Sequence, residues 1–105
     1  MIKTPSKYTL KKYGLSIQDW ENLLISQNYC CPICERHFDE TVHPVVDHFH
    51  ISGYRKFPPE KKRKYIRGLL CIYDNLRVVS KSLTTKKAYN SWKYLKKFDK
   101  KINKN

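Results

Sequence analysis

Asp47, His48 and His50 stand within four consecutive positions of a short apolar segment, VVDHFHISG at residues 45–53. Ionisable groups are costly to bury, so such a cluster indicates a function. An aspartate carboxylate binds a hard cation such as Mg²⁺, and a neutral imidazole takes a proton from water. Phosphodiester hydrolysis needs both a metal and a base. Together with a nearby Cys-Pro-x-Cys turn and a net charge of +13, the cluster favours a nuclease site over two alternatives, a second zinc site and histidines that are merely solvated or hydrogen-bonded.

Cys31 and Cys34 form a Cys-Pro-x-Cys turn, and this spacing holds one edge of a tetrahedral zinc ion. Cys71 offers a third ligand, and Asp74, three residues beyond it, leads as the fourth by spacing. The competing fourth ligands are His37, His43 and Cys30. The alternative is that the cysteines are buried free thiols, which pack as small apolar residues. The spacing in so small a domain favours the metal site.

The 105 residues suggest a single domain, and 22 Lys and Arg against nine Asp and Glu give a net charge of +13. This excess predicts a polyanionic partner, with nucleic acid as the leading candidate. No apolar stretch is long enough to span a bilayer, and the N-terminus lacks the hydrophobic block of a secretory signal. We therefore expect an intracellular protein without membrane attachment, in which clustered cysteines bind metal rather than form disulfides.

Several elements are predicted to position these residues, beginning with a helix at residues 15–27. Ser16 and Asp19 have capping-box spacing at its start. Its apolar face consists of Ile17, Trp20, Leu23 and Leu24. Residues 1–14 precede this helix as a basic lead-in without a clear pattern.

A strand is predicted at residues 43–51, turning at residues 52–54 into a second strand. Alternate side chains of a strand face opposite sides, so a bend or bulge is needed to bring Asp47, His48 and His50 to one centre. Residues 66–71 predict another strand, and residues 73–80 begin a helix. From Leu83 onward a Lys-rich amphipathic helix is expected to pack on the domain or on a second subunit. Its apolar positions are Ala88, Trp92, Leu95 and Ile102.

The segment at residues 55–65, RKFPPEKKRKY, is predicted to be a basic loop in which Pro59 opens a short helical turn. We expect its cations to contact the phosphate backbone of nucleic acid. The alternatives are a solvated loop and a nuclear localisation signal. The predicted contact residues are Lys61, Lys62, Arg63, Lys64 and, from the following strand, Arg67.

The order of these motifs resembles the phage recombination endonuclease VII family of HNH, or ββα-metal, nucleases. CPIC, VDHFH, Gly53, RGLLC and Asn75 carry the resemblance, which covers Tyr13 to Val79. It implies an α+β fold, with a small zinc-stabilised ββα-metal domain at residues 15–80 between the lead-in at 1–14 and a C-terminal helix at 81–105. It also implies the cytoplasm of a bacterial host, if the protein is phage-encoded. The basic loop is longer than this resemblance leads us to expect.

The resemblance also implies a role for each site residue. Asp47 and Asn75 correspond to the ligands of a catalytic Mg²⁺ or Mn²⁺ ion, and His48 to the general base. His50 matches a histidine that contacts the scissile phosphate or the metal. The implied ligands of a structural Zn²⁺ ion are Cys31, Cys34, Cys71 and, where similar proteins have a fourth cysteine, Asp74.

The predicted function is therefore a metal-dependent DNA endonuclease that hydrolyses phosphodiester bonds, with branched DNA as one candidate substrate. One active site cuts one strand, so cleavage of both strands or of a junction would need a homodimer. The rival enzyme is a nicking or homing-type HNH nuclease that acts on linear duplex. The rival from another class is a non-catalytic zinc DNA-binding module, which has no need for Asp47, His48 and Asn75 together.

Overall fold

The computed structural model of the protein describes residues 2–79 and 84–102, apart from the side chains at positions 98 and 100–102. In these ranges the chain forms five α-helices and a two-stranded antiparallel sheet, an α+β arrangement as predicted. In chain order the elements are α1 (Lys7–Lys12), α2 (Ile17–Ser26), β1 (Pro44–His48), α3 (Pro59–Lys62), β2 (Ile66–Cys71), α4 (Ile72–Asp74) and α5 (Thr85–Ile102). Two 3-10 turns, Tyr54–Lys56 and Arg63–Tyr65, flank α3, and a π-helical turn, Asn75–Val79, follows α4. None of the described helices is long and apolar enough to cross a membrane.

Helix α2 begins where the capping-box spacing predicted it. The Ser16 hydroxyl accepts a hydrogen bond from the Asp19 amide at 3.0 Å, and the Asp19 carboxylate accepts one from the Ser16 amide at 2.9 Å. These bonds satisfy amides that a first helical turn leaves without intrahelical partners. Trp20 and Leu24 are buried, but Ile17 is exposed at the edge of an open groove. The buried face is therefore narrower than predicted.

The basic lead-in contains a helix, α1, that its sequence did not indicate. Ser6 caps this helix by accepting a hydrogen bond from the Thr9 amide at 3.1 Å. Leu10 is its one buried residue and packs in the core. A single buried side chain gives no detectable period, so only the cap could have predicted this helix.

The sheet has a bulge beside the Asp-His cluster. Asp47 pairs with Gly68 and His48 pairs with Ile66, which leaves Arg67 as an extra residue in β2. A bulge bends its strand, increases the local twist and changes the direction of the side chains beside it. The predicted bulge is thus present beside Asp47 and His48, although its extra residue lies in β2 and not in β1, which carries the cluster.

The predicted second strand after residues 52–54 is wrong. Gly53 adopts a left-handed conformation, with φ of 81°, and precedes the 3-10 turn Tyr54–Lys56. Amides in this turn bond locally, with Lys56 donating to the Gly53 carbonyl and Phe57 to the Tyr54 carbonyl, each at 3.0 Å. β1 instead pairs with β2, which confirms the strand predicted at residues 66–71. The helical turn at Pro59 and the helix after residue 71 are confirmed as well.

The core lies between α2 and the sheet, where Leu69 is fully buried. The Gln27 side chain extends the sheet, since it donates to the Leu69 carbonyl at 2.8 Å and accepts from the Leu69 amide at 2.9 Å. A Cβ atom at Gly68 would stand 2.8 Å from Gln27 Oε1, so the glycine permits this close approach. These contacts fix β2, which carries Arg67 near its start and Cys71 at its end.

Helix α5 confirms the helix predicted near the C-terminus. All of its described side chains are exposed, including Trp92 at 52% and Leu95 at 60%. Packing of its apolar face on the domain, one of the two predicted arrangements, is therefore not observed for these side chains. Leu83 and the Ile102 side chain, also assigned to the predicted helix, lie outside the described residues. The domain boundaries at residues 15 and 81 stay predictions.

Candidate functional site

Three thiols and one carboxylate converge in a cluster formed by Cys31, Cys34, Cys71 and Asp74, here called the thiol–carboxylate cluster. Their ligand atoms all lie within 4.8 Å of one another. Asp74 Oδ2 is 3.1 Å from Cys31 Sγ and 3.0 Å from Cys71 Sγ, and Cys34 Sγ is 3.9 Å from Cys71 Sγ. Around a tetrahedral zinc ion with Zn–S bonds of about 2.3 Å, two sulfurs are about 3.8 Å apart. The cluster can therefore hold a metal ion with only small shifts.

The local backbone explains how these ligands meet. On one side, the Cys31 amide donates to the Arg36 carbonyl at 2.9 Å and the Glu35 amide donates to the Cys31 carbonyl at 2.8 Å, which closes the knuckle. On the other side, Cys71 ends β2 and caps α4, and its Sγ accepts a hydrogen bond from the Asp74 amide at 3.4 Å. One helical turn thus brings Asp74 beside Cys71, as their spacing predicted.

Burial and hydrogen bonding set the protonation of the cluster. Burial raises the pKa of the Cys71 thiol to about 12, and a hydrogen bond to Asp74 acts in the same direction. Hydrogen bonds from the thiols, with that of Cys34 as the largest, hold the pKa of the Asp74 carboxyl below its ordinary value. A bound cation would displace thiol protons, so its affinity rises with pH. Thiolates with a single carboxylate suit a zinc-like ion better than Mg²⁺.

The competing fourth ligands lie elsewhere. His37 is exposed, with Nδ1 2.8 Å from the Phe38 carbonyl and its ring stacked on Tyr29. The Cys30 thiol donates to the Asn28 carbonyl at 3.2 Å, and His43 is exposed. Within residues 2–79 and 84–102, the one group of metal-binding geometry contains Asp74 and none of these three.

Asp47 is buried near the end of β1, where Arg67 binds it. The guanidinium donates from Nε to Oδ2 at 2.8 Å and from Nη2 to Oδ1 at 3.0 Å. The Asp47 side chain is 6% exposed against 38% for that of Arg67, so the pair reaches from the interior to the surface. This pair was not predicted, because it depends on the bulge at Arg67. The one sequence signal was an arginine within an otherwise apolar strand.

His48 is half-buried among aromatic rings. Its ring centroid lies 4.0 Å from that of Tyr54 and 4.9 Å from that of His50. Burial lowers the pKa of His48 and the nearby His50 lowers it further, while the Asp47 carboxylate acts in the opposite direction. The imidazole is therefore neutral at pH 7 and can accept a proton. Tyr54 was missed by sequence reasoning, because an aromatic residue in a loop has no characteristic spacing.

Asn75 is the first residue of the π-helical turn, directly after Asp74. It is half-buried, and no hydrogen bond joins it to Asp47 in the part of the chain that the structure describes. Single π-helical turns are frequent at functional sites. The structure thus brings His48 to His50 and Asp47 to Arg67, while Asn75 lies beside the thiol–carboxylate cluster.

The basic loop residues differ in how accessible they are. Lys62 is buried, with Nζ 5.5 Å from the centre of the Tyr54 ring, and Lys61 Nζ lies 4.0 Å above the Phe57 ring. Arg63 forms an exposed ion pair with Asp19 at 3.2 Å, and Lys64 is exposed. Contact of these residues with phosphate stays a prediction.

Comparison with known proteins bears on the family. A family model described as recombination endonuclease VII matches residues 6–97. The match spans most of the 105 residues and confirms the family indicated by the separated motifs. No curated protein and no solved structure gives a significant match. The chain belongs to the recombination endonuclease VII family.

Proposed function

We propose that the protein is a metal-dependent endonuclease that hydrolyses DNA phosphodiester bonds from a zinc-stabilised ββα-metal (HNH) domain. Its nuclease family and its net charge of +13 support DNA as the substrate. The observation that carries the proposal is the adjacency of a buried carboxylate, Asp47, and a half-buried imidazole of lowered pKa, His48. Together they offer a ligand for a hard cation and a base.

Asp47 and Asn75 are the proposed ligands of Mg²⁺ or Mn²⁺, since carboxylate and amide oxygens suit both ions. When bound, the cation would stabilise the negative charge that develops on the phosphate. Both Asp47 oxygens accept hydrogen bonds from Arg67, so the guanidinium must share or release at least one of them. Each carboxylate oxygen has a second lone pair, which makes sharing feasible. A released guanidinium could bind a phosphate oxygen, in agreement with the DNA contact predicted for Arg67.

His48 is proposed to take the proton from the attacking water. Its lowered pKa favours the neutral form that this step requires. His50 is exposed, with its ring centroid 4.9 Å from that of His48, and is proposed to contact the scissile phosphate or the metal. The remaining proposed DNA contacts are the exposed Lys61, Arg63 and Lys64, together with Lys62, which would have to leave its buried position beside the Tyr54 ring.

The thiol–carboxylate cluster is proposed to hold a structural Zn²⁺ ion. Its ligands join the knuckle at residues 31–34 to the start of α4. Asn75 directly follows this junction, so a bound ion would also limit the movement of Asn75. The cluster would thus support the catalytic site without taking part in the chemistry.

Nicking of supercoiled plasmid by the zinc-loaded full chain tests the catalytic proposal. We expect wild type to nick in the presence of Mg²⁺, and His48→Ala to be slower by about 10²-fold or more, the usual contribution of a general base. His43→Ala is the matched control, because His43 is an exposed histidine that belongs neither to the segment Asp47–His50 nor to the thiol–carboxylate cluster. Equal rates for wild type and His48→Ala would exclude His48 as the base.

A non-catalytic zinc DNA-binding module is the second candidate. The Arg67 pair favours it, because the guanidinium neutralises Asp47 without any metal. This candidate predicts DNA binding that weakens with salt, together with no nicking by wild type at any Mg²⁺ concentration. Nicking that requires Mg²⁺ and His48 would exclude it.

A further inference from the structure

We propose that Tyr54 is a positioning residue for the base His48, whose imidazole it holds in one orientation by ring stacking. The inference rests on the proposed function, since it concerns the same catalytic step. Tyr54 and His48 stack with centroids 4.0 Å apart and ring planes inclined by 22°. Stacking at this distance restricts rotation of the imidazole about its terminal side-chain torsion, which is otherwise broad. The base nitrogen would therefore keep one direction toward substrate.

Tyr54 can act as a support because its own ring is fixed. It is 8% exposed, and two aromatic rings meet it edge to face, Phe57 at 6.0 Å and Tyr65 at 6.3 Å. Lys62 Nζ lies 5.5 Å from the centre of the same ring. Tyr54 and the basic loop thus form a packed aromatic support beside His48, in addition to the proposed phosphate-binding surface.

This aromatic support is also hydrogen-bonded to the backbone directly after His48. The Phe49 amide, directly after His48, donates to the Tyr65 carbonyl at 2.7 Å. Tyr65 in turn contacts Tyr54 through its ring. A shift of the loop would therefore move the backbone next to His48 as well as the stacked ring.

The Tyr54 hydroxyl is not required for this role. It is buried and has no hydrogen-bond partner among the described residues. Burial raises its pKa to about 12, so it stays protonated at neutral pH. A buried hydroxyl without a partner is unfavourable, so its removal should not destabilise the fold. The role belongs to the flat ring, which phenylalanine also provides.

Steady-state nicking of a short DNA duplex by the zinc-loaded full chain in Mg²⁺ tests the proposal. We expect Tyr54→Phe to keep wild-type kcat and to unfold at an equal or higher temperature. Tyr54→Leu removes the flat ring and should lower kcat by about 10- to 100-fold, a typical effect of a misplaced catalytic group, with little change in KM. Tyr29→Leu is the matched control, because Tyr29 stacks on His37, a histidine outside the proposed catalytic site, and no ring contact joins Tyr29 to Tyr54 or His48 among the described residues. Its kcat should change by less than about threefold.

A second readout does not depend on activity. The proton NMR signals of the His48 ring should carry a ring-current shift from Tyr54 that Tyr54→Phe keeps and Tyr54→Leu loses. If Tyr54→Leu does not fold, Tyr54→Met replaces it, since methionine fills the space without a flat face.

The outcomes separate the two proposals. Full kcat in Tyr54→Leu, or an equal loss in Tyr29→Leu, would overturn the positioning role while leaving His48 as the base. A loss in Tyr54→Phe equal to that in Tyr54→Leu would show that the hydroxyl acts instead. A wild type that binds but never nicks DNA would overturn the proposed function and the positioning role with it.

Discussion

Asp47 is buried, and a buried carboxylate is stable only when it is paired and hydrogen-bonded. Arg67 meets this requirement with hydrogen bonds to both oxygens. The same oxygens are the ones proposed to bind the catalytic cation. At the scale of single residues, Arg67 therefore stabilises the fold and would compete with the proposed cation for Asp47.

The first prediction concerns this competition. Arg67→Ala leaves the Asp47 carboxylate without its partner, so the free energy of unfolding should fall by about 1–3 kcal/mol, less than for a fully buried pair because Arg67 is partly solvated. The variant should also bind Mn²⁺ more tightly, because a competing cation is gone. Thermal unfolding at increasing Mn²⁺ concentration measures both effects, since a ligand of the folded state raises the Tm.

Arg63→Ala is the matched control for this experiment. Its ion pair with Asp19 is exposed and screened by solvent, so its loss should change the free energy of unfolding little and leave Mn²⁺ binding unchanged. Weaker Mn²⁺ binding by Arg67→Ala than by wild type would contradict the competition and would make Arg67 a support of the metal site.

The second prediction concerns pH. Burial and His50 depress the pKa of His48 below its ordinary value of 6.5, and only the neutral imidazole accepts a proton. The nicking rate should therefore fall with decreasing pH along a limb whose midpoint lies below pH 6.5, as His48 becomes protonated. A pH–rate profile measures this limb, which should be absent from the residual activity of His48→Ala. A limb with its midpoint above pH 6.5 would contradict the assignment of His48.

What the sequence predicts at this scale depends on whether a contact is local. Cys71 and Asp74 are three residues apart on one helical turn, so their spacing alone places them together. The pairs of Asp47 with Arg67 and of His48 with Tyr54 depend on a bulge and on how a loop packs. Neither the register of the strands nor the path of that loop can be read from residue spacing.

At the scale of elements, the thiol–carboxylate cluster ties together segments that are far apart in sequence. Cys31 and Asp74 are separated by 43 positions, yet their side chains are 3.1 Å apart. A metal ion at this point would close a long loop, and binding that requires the folded chain contributes directly to stability. The knuckle, the end of β2 and α4 should therefore lose order together when the ion is removed.

The third prediction tests this coupling. Asp74→Ala removes one of the four proposed ligands and should weaken Zn²⁺ binding by at least about tenfold, since even outer partners of a ligand have effects of this size. Metal content after dialysis and the absorption spectrum of the Co²⁺ form measure the change, together with a lowered Tm. Cys30→Ser is the control, because the Cys30 thiol lies outside the cluster. Full Zn²⁺ retention by Asp74→Ala would exclude Asp74 as a ligand.

Elements with strong local signals were predicted well. The capping box sets the start of α2, and the apolar run at residues 66–71 coincides with β2. A second strand was predicted to follow the turn at residues 52–54, but the chain forms the 3-10 turn Tyr54–Lys56, whose amides bond locally. The core contacts of α1 arise only in the folded chain.

At the scale of the whole molecule, the net charge of +13 and α5 have to be considered together. The apolar side chains of α5, Tyr89, Trp92 and Leu95, recur at three-residue intervals and are exposed. Lys93 and Lys96 lie over the Tyr89 and Trp92 rings at 5.2 and 4.5 Å, which places cations along this face. Such an exposed apolar face is suited to packing against a second copy of the chain, which is the other arrangement predicted for this helix.

The fourth prediction is that the chain forms a homodimer through α5 and that the dimer is required for junction cleavage. One active site cuts one strand, so resolving a four-way junction needs two sites held together. The double variant Trp92→Glu and Leu95→Glu should sediment as a monomer, nick plasmid at the wild-type rate and fail to resolve junctions. Tyr94→Glu is the matched control, since Tyr94 is exposed but off the face formed by Trp92 and Leu95. A monomeric wild type that cuts linear duplex and junctions equally would contradict this prediction and favour the nicking-type nuclease.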